Sequence, residues 1–185
     1  MPLLAAVLDA NALFPIALCD TLLRAAVEQL YRPFWSAEIL DEVERNLIAH
    51  RRATPELARR RLEMMSRALP GAMVTGYAGL VPLLTNNPKD RHVLATAIHA
   101  GAHVVVTQNL HDFPAAVLGP YGIQAQAPDE FLQDLLAAES EAMARIIVAQ
   151  AADLRRPSQS VDQVLARLAI EAPGFVRTIR ESGWS

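Results

Sequence analysis

The residues Asn86-Asn87-Pro88-Lys89-Asp90-Arg91-His92-Val93-Leu94-Ala95-Thr96-Ala97-Ile98 decide the fold. They run on through Gly101 into Val104-Val105-Val106-Thr107-Gln108-Asn109-Leu110-His111-Asp112-Phe113-Pro114. Asn87 suits a helix N-cap, and Pro88 suits the first helical position because its missing N–H would have no partner there. Val93, Leu94, Ala97 and Ile98 form an apolar stripe at helical spacing, and Gly101 is a residue on which a helix can end. Val104 to Val106 is an unbroken β-branched run, expected of a parallel strand covered on both faces. A helix followed by such a strand is half of an α/β crossover.

The acids lie at informative positions in this pattern. Asp90 is one turn before Leu94 and two before Ile98, so it opens the core-facing stripe at the end of the helix nearest the sheet. Asp112 lies just past the carboxyl end of the strand, the edge at which ligands bind in open α/β sheets. Each also has an ordinary structural reading: an acid in a first helical turn complements the helix dipole, and Asp before Phe-Pro is common turn chemistry. The functional reading requires further acids at the same edge.

With 185 residues, the chain is predicted to be one domain, or one domain with an appendage, long enough to bury a core. Hydrophobic residues make up 52%, which excludes disorder as the main state. Charges or Pro interrupt every apolar run below membrane-spanning length, and Met1 to Val7 shows neither a basic region nor a cleavage site. Cys19 is the single cysteine, which rules out a disulfide scaffold and thiolate metal clusters and favours the cytoplasm. The net charge of −3 carries no global nucleic-acid signal, so nucleic-acid binding would require a local patch.

Along the chain, Leu3 to Leu8 reads as the first strand and ends directly in Asp9-Ala10-Asn11. Asp9 is either an Asx turn or a carboxylate at the same sheet edge as Asp112. Thr21 to Leu30 reads as a helix, and Phe34-Trp35 as the end of a second strand. Ser36 is the expected N-cap of a helix from about Ala37 to Ala49, with Ile39, Leu40, Val43 and Leu47 inward. Glu42 borders that apolar face closely enough to turn toward a cleft. Thr54-Pro55-Glu56 starts a helix that carries Arg59, Arg60, Arg61 and Arg67 and stops before Pro70-Gly71. With Arg45, Arg51 and Arg52 these form a basic surface, either a solvated face or a phosphate contact.

Met73 to Thr75, Pro114 to Leu118 and Ile123 to Ala127 read as strand, short helix and last strand. Pro128-Asp129 then opens a helix through Phe131, Leu132, Leu135 and Leu136. The alternation predicts an α/β fold, a parallel central sheet flanked by helices. From about Glu139 to Ser185 there is no strand pattern. Met143, Ile146, Ile147 and Ala151 suggest one helix, broken at Arg155-Arg156-Pro157-Ser158. Val161 to Leu168 and Pro173 to Ile179 suggest two more. The expected division is residues 1–138 as the α/β domain and 139–185 as a C-terminal all-helical extension, separable from the chemistry because every candidate acid precedes it.

Asp9, Glu42, Asp90 and Asp112 thus converge on one sheet edge from separate parts of the chain. Clustered carboxylates repel one another without a cation, and hard oxygen donors suit Mg²⁺ or Mn²⁺. Such a site supports phosphodiester hydrolysis. Other chemistries are weaker: there is no Gly-rich phosphate loop, dinucleotide fingerprint or nucleophile elbow. His99 and His103 are four apart, but Gly101 interrupts the helix that would align them for zinc. His92 reads as a helix-surface residue, close enough to Asp90 for a substrate contact.

Four segments carry a resemblance: Asp9-Ala10-Asn11 after the first strand, Ser36-Ala37-Glu38-Ile39-Leu40-Asp41-Glu42-Val43, Pro88-Lys89-Asp90-Arg91-His92-Val93-Leu94-Ala95, and Val106-Thr107-Gln108-Asn109-Leu110-His111-Asp112-Phe113-Pro114. In this order they resemble the PIN-domain family, over roughly Leu3 to Leu136. The resemblance implies a Mg²⁺- or Mn²⁺-dependent endoribonuclease with Asp9, Glu42, Asp90 and Asp112 as catalytic and metal-binding acids. It also implies Asn11, Thr107 and Asn109 as polar residues that orient them. Some relatives carry Asp where Asn109 stands, which leaves this acidic set one charge short of theirs. Arg59, Arg60, Arg61, Lys89 and Arg91 are the candidate RNA contacts. Many similar bacterial members are VapC-type toxins silenced by an antitoxin protein, and one subgroup has a comparable helical extension. The expectation is therefore a toxin ribonuclease with RNA and an antitoxin as partners, a homodimer as a further possibility, and no membrane association. The alternatives are a housekeeping RNA-processing nuclease of the same type, and an inactive RNA-binding adaptor. A pure binder has no use for a repulsive acidic cluster.

Overall fold

A computed structural model describes residues 3–153 and 159–183. The first strand, β1 (Ala5–Leu8), is fully buried. It starts later than expected: Leu3 and Leu4 flank it at the surface, although the Leu4 carbonyl still accepts from Arg32 N–H at 2.8 Å. A one-turn helix follows, α1 (Ala10–Leu13), with Asp9 at its N-cap. Then comes α2 (Ile16–Val27), which corrects the expected span of Thr21 to Leu30 at both ends. Its first turn, Ile16-Ala17-Leu18-Cys19, is apolar on every side and shows no periodicity. At its other end Gln29 turns the chain at φ +59°, and Leu30 packs back on the core from outside the helix.

Strand β2 (Arg32–Ser36) leads without a break into α3 (Ala37–Ala49), where Ser36 accepts from Ile39 N–H as the predicted cap. Next is α4 (Pro55–Ala68), capped by Thr54, followed by the two-residue β3 (Met73–Val74). A 3-10 turn over Pro88–Asp90 precedes α5 (Arg91–Ala100). Gly101 ends α5 in the left-handed region at φ +61°, so His99 and His103 are not aligned on one helix. His103 instead accepts from Ala5 N–H through Nδ1 at 3.2 Å.

Strand β4 (Val104–Val106) is buried throughout. Then come α6 (Ala115–Leu118), the half-exposed edge strand β5 (Gln124–Gln126) and α7 (Pro128–Ala138).

The five strands form one parallel sheet in the order β3-β2-β1-β4-β5. From β1 the chain winds outward first through β2 and β3, then through β4 and β5. The topological switch point is therefore the carboxyl edge between β1 and β4, where crevices form in such sheets. Register then decides which residues meet. Leu8 is level with Val106, so Asp9 and Thr107 leave the sheet side by side. Val7 is level with Phe34, so Ser36 and the start of α3 emerge beside Asp9.

The remaining helices are α8 (Ser140–Asp153), α9 (Val161–Leu168) and α10 (Pro173–Glu181). The break expected at Arg155 to Ser158 lies outside the described residues. These helices are packed into the body of the molecule. Met143, Ile146, Ile147, Val164, Leu165, Leu168, Phe175, Val176 and Ile179 are buried in the same continuous core as the sheet. Buried Thr21 on α2 donates to Gln150 Oε1 on α8 at 2.7 Å, and Gln150 Nε2 donates to the Ala17 carbonyl at 3.1 Å. Asp129 at the start of α7 accepts from Gly174 and Phe175 N–H at 3.0 and 2.7 Å, capping α10.

Candidate active site

Asp9 is the anchor. It is 4% exposed, and its carboxylate accepts from Ala10 N–H, Asn11 Nδ2 and Thr107 Oγ1, each at 2.7 Å. The Thr107 hydroxyl is used to capacity. It donates to Asp9 and accepts from Asn11 Nδ2 and from Asn109 N–H, both at 3.0 Å. Asn11 uses both amide hydrogens on Asp9 and Thr107, and its Oδ1 accepts from Gln108 N–H at 2.9 Å. The strand ends β1 and β4 are thereby tied by side chains where the backbone ladder stops. Burial raises the pKa of Asp9, and the Thr107, Ala10 and Asn11 hydrogen bonds pull it back.

Asp112 sits in the 3-10 turn Leu110–Asp112. Asn87 Nδ2 donates to its Oδ1 at 3.0 Å, Asn109 Nδ2 donates to its Oδ2, and His111 Nε2 lies 3.2 Å from Oδ1. These contacts hold its carboxyl below the usual carboxylate range, with the Asn87 hydrogen bond the largest influence. The sequence marks Asn87 as a cap only. It does accept from Lys89 N–H as a cap, but its amide also orients Asp112, and nothing local in the sequence signals that second role.

Asp90 is at the cap position of α5, yet its side chain makes no capping hydrogen bond. Its carboxylate answers instead to its neighbours. Burial first, then the charges of Asp112, Asp9 and Glu42, push its pKa up to about 6. Glu42, on α3, is also raised, by burial and then by Asp9. All four acids therefore share one electrostatic environment. Their donor chemistry, anionic and all-oxygen, fits a hard divalent cation. Among the described residues, however, no group of three or more His, Cys, Asp or Glu converges closely enough to hold an ion.

His92, in the first turn of α5, belongs to the site. Its Nε2 lies 3.9 Å from Glu42 Oε2. The expectation of a helix-surface residue does not describe a side chain that is only 12% exposed.

The candidate RNA contacts divide. Lys89 lines an open groove with Glu38, Asp41, Glu42, Arg45 and His92. Arg59 and Arg60 line a separate groove on α4, where Arg59 also pairs with Glu44 at 3.4 Å. Arg61 turns inward and donates to the carbonyls of Leu13 at 2.6 Å and Phe14 at 3.3 Å, closing the end of α1. Arg91 Nε donates to the Asn86 carbonyl at 3.1 Å.

Comparison with known proteins agrees with the fold. Residues 128–181 match a family model described as the VapC50 C-terminal domain. The chain is 38% identical over 112 residues to a Mycobacterium tuberculosis protein named "Putative ribonuclease VapC50"; the match covers 60% of this chain and 66% of that protein, just under two thirds of its length. No solved structure matches the chain. No helix among the described residues is long and apolar enough to cross a membrane. Residues 5–111, more than half of the chain and including every strand of the switch-point edge, match the PIN domain model, and the chain belongs to the PIN-domain family.

Proposed function

We propose that this chain is a Mg²⁺- or Mn²⁺-dependent endoribonuclease, acting in the cytoplasm as the toxin of a toxin–antitoxin pair. The observation that carries this reading is the electrostatic environment that Asp9, Glu42, Asp90 and Asp112 share at the β1–β4 switch point, where burial first, and then the charges of Asp112, Asp9 and Glu42, push the pKa of Asp90 up to about 6. Similarity to a protein named as a ribonuclease supports RNA as the substrate. An antitoxin protein as partner, and a homodimer as the active form, belong to the same proposal.

Asp9, Asp90, Asp112 and Glu42 are the residues that would hold the cation. When bound, it would neutralise charge on the scissile phosphate and supply an activated water. The chain's own contribution is preorganisation. Thr107 and Asn11 fix Asp9, Asn87 and Asn109 fix Asp112, and Lys89 and Arg45 bring positive charge to the groove beside Glu42. These basic side chains suit the phosphates flanking the cut. Like charges held this close disfavour one another's ionised form, so the cluster favours a cation over an anionic ligand.

The test is cleavage of RNA by protein freed of contaminating nuclease. Cutting is expected with Mg²⁺ or Mn²⁺, is expected to be abolished by EDTA, and requires no zinc. Undiminished cleavage in EDTA would remove the metal from the mechanism. Growth arrest on expression, relieved by a protein encoded beside this gene, distinguishes a toxin from a housekeeping nuclease.

A further inference from the structure

The amide and hydroxyl groups that hold Asp9 and Asp112 are paired, whereas buried side-chain atoms of Asn86 and His92 are not. His92 Nε2 is buried and has no hydrogen-bond partner. Leaving a buried imidazole nitrogen unpaired forfeits its hydration with nothing in return, so its neighbourhood matters. The acceptor facing it is Glu42 Oε2, at 3.9 Å. That is beyond a hydrogen bond, but about 1 Å of side-chain adjustment closes it. Glu42 has the freedom to move, because its side chain is 40% exposed while that of His92 is 12% exposed. The two differ from the other acid–partner pairs. Asp9 and Asp112 are held by amides, hydroxyls and backbone N–H groups, whereas among the described residues Glu42 has no hydrogen bond of its own to fix its rotamer.

We propose that His92 is the positioning residue for Glu42. Its Nε2–H donates to the Glu42 carboxylate and selects the rotamer that faces Asp9 and Asp90. The role is reached only through the fold. Glu42 is on α3 and His92 on α5, and the two helices meet because β1 brings its neighbours' crossovers to one edge. The inference rests on the metal-dependent reading above and extends it by one residue. The donor is needed, not a positive charge, so a neutral amide of similar reach can replace it.

The experiment compares the parent with His92→Gln, which keeps an N–H of similar reach, and His92→Phe, which keeps a ring and loses the donor. Metal-free protein is titrated with Mn²⁺ and the rise in melting temperature is followed. RNA cleavage gives kcat and KM at saturating metal. Outer partners of metal ligands are typically worth roughly 10–100-fold in affinity or activity. His92→Phe is expected to weaken Mn²⁺ by that order and to lower kcat with KM held, while His92→Gln returns close to the parent. In a Glu42→Gln background His92→Phe should then change Mn²⁺ affinity little, because the pair is already broken. If the Phe ring is not accommodated and the metal-free protein melts early, His92→Leu removes the donor with a smaller side chain and takes its place. Parental Mn²⁺ affinity and kcat in the folded donor-less variant overturn the role of His92, as does a His92→Gln variant equally impaired despite a parental metal-free melt. A parent that shows no Mn²⁺ shift at all overturns the metal-dependent reading itself, and the role of His92 with it.

Discussion

Asp90 shows how a residue can satisfy one structural rule and serve another purpose. An acid at a helix start gains from the dipole, typically about 0.3–1 kcal/mol, yet Asp90 makes no capping bond and is raised to about 6 by burial and three like charges. A carboxyl whose folded pKa exceeds its unfolded value destabilises the fold when ionised. The penalty is present above about pH 6 and gone below the ordinary aspartate value. Asp90→Asn should therefore leave metal-free protein at about pH 7 as stable as the parent or more so, with the difference vanishing toward about pH 4. The same variant should show a smaller Mg²⁺-induced rise in melting temperature and a loss of cleavage by orders of magnitude. If it melts earlier without metal and keeps parental cleavage, Asp90 is only a helix-start residue. Thr107 is the complementary case. Thr107→Val preserves shape but removes a donor from buried Asp9 and an acceptor from two N–H groups. The expected cost is about 1–3 kcal/mol in a denaturant melt, with metal affinity falling because Asp9 loses its fixed orientation. A stable variant with parental metal binding would mean that the backbone alone sets Asp9.

At the scale of the element, α4 carries two kinds of arginine that its sequence does not separate. Arg59, Arg60 and Arg67 point to solvent along one groove, while Arg61 is half-buried and caps the carbonyls of Leu13 and Phe14. Replacing Arg59 and Arg60 with Ala should barely change stability, since exposed residues contribute little. If both bind phosphates, the salt dependence of RNA binding should flatten by about 0.7 in slope for each phosphate no longer neutralised. Equal slopes return them to a solvated face. Arg61→Ala should instead cost about 1.5–3 kcal/mol, as hydrogen bonds made by a charged group do, and its effect should be read in a melting curve before any binding assay. A variant that binds RNA weakly yet melts like the parent would restore Arg61 to the phosphate-binding set. Lys89 is better placed than any of these, beside Glu42 and His92 in the groove next to the acids.

The whole molecule is not built as a domain with a loosely attached tail. Helices α8 and α9 cover α2, α10 covers α7, and their apolar residues share the core of the sheet. Fully burying a side chain such as Leu, Ile or Phe is worth about 1.5–3 kcal/mol, and a domain's net stability is only about 5–15 kcal/mol. Removing the chain after Ala138 uncovers several such side chains and leaves buried Thr21 without its partner Gln150. The truncated chain should lose cooperative melting and precipitate, and cleavage should fall with it. A soluble, cooperatively melting truncation with full activity would establish the tail as a true appendage. The tail also touches the site. Gln108, between Thr107 and Asn109, donates to Glu171 Oε2 at 3.2 Å from the loop joining α9 and α10. Residues 1–138 and 139–185 are accordingly proposed as two parts of one folding unit. The family model for the C-terminal domain begins at residue 128, with α7 included.

What the sequence by itself determined is what neighbouring residues determine. Caps at Ser36, Thr54 and Asn87, the stop at Gly101, the β-branched run of β4, and acids at strand ends and a helix start are local decisions, set by backbone conformation within a turn or two. They sufficed to name the α/β class and to place Asp9, Asp90 and Asp112 near one edge. The start of α2 escaped because Ile16 to Cys19 is uniformly apolar and periodicity has nothing to report there. Only the tertiary structure decided which groups meet. Parallel register sets Thr107 beside Asp9 across 98 positions of chain, helix packing sets His92 against Glu42, and burial turns Arg61 inward. Hydrogen-bond partners so far apart in sequence are selected by strand order and core packing, which depend on every element at once.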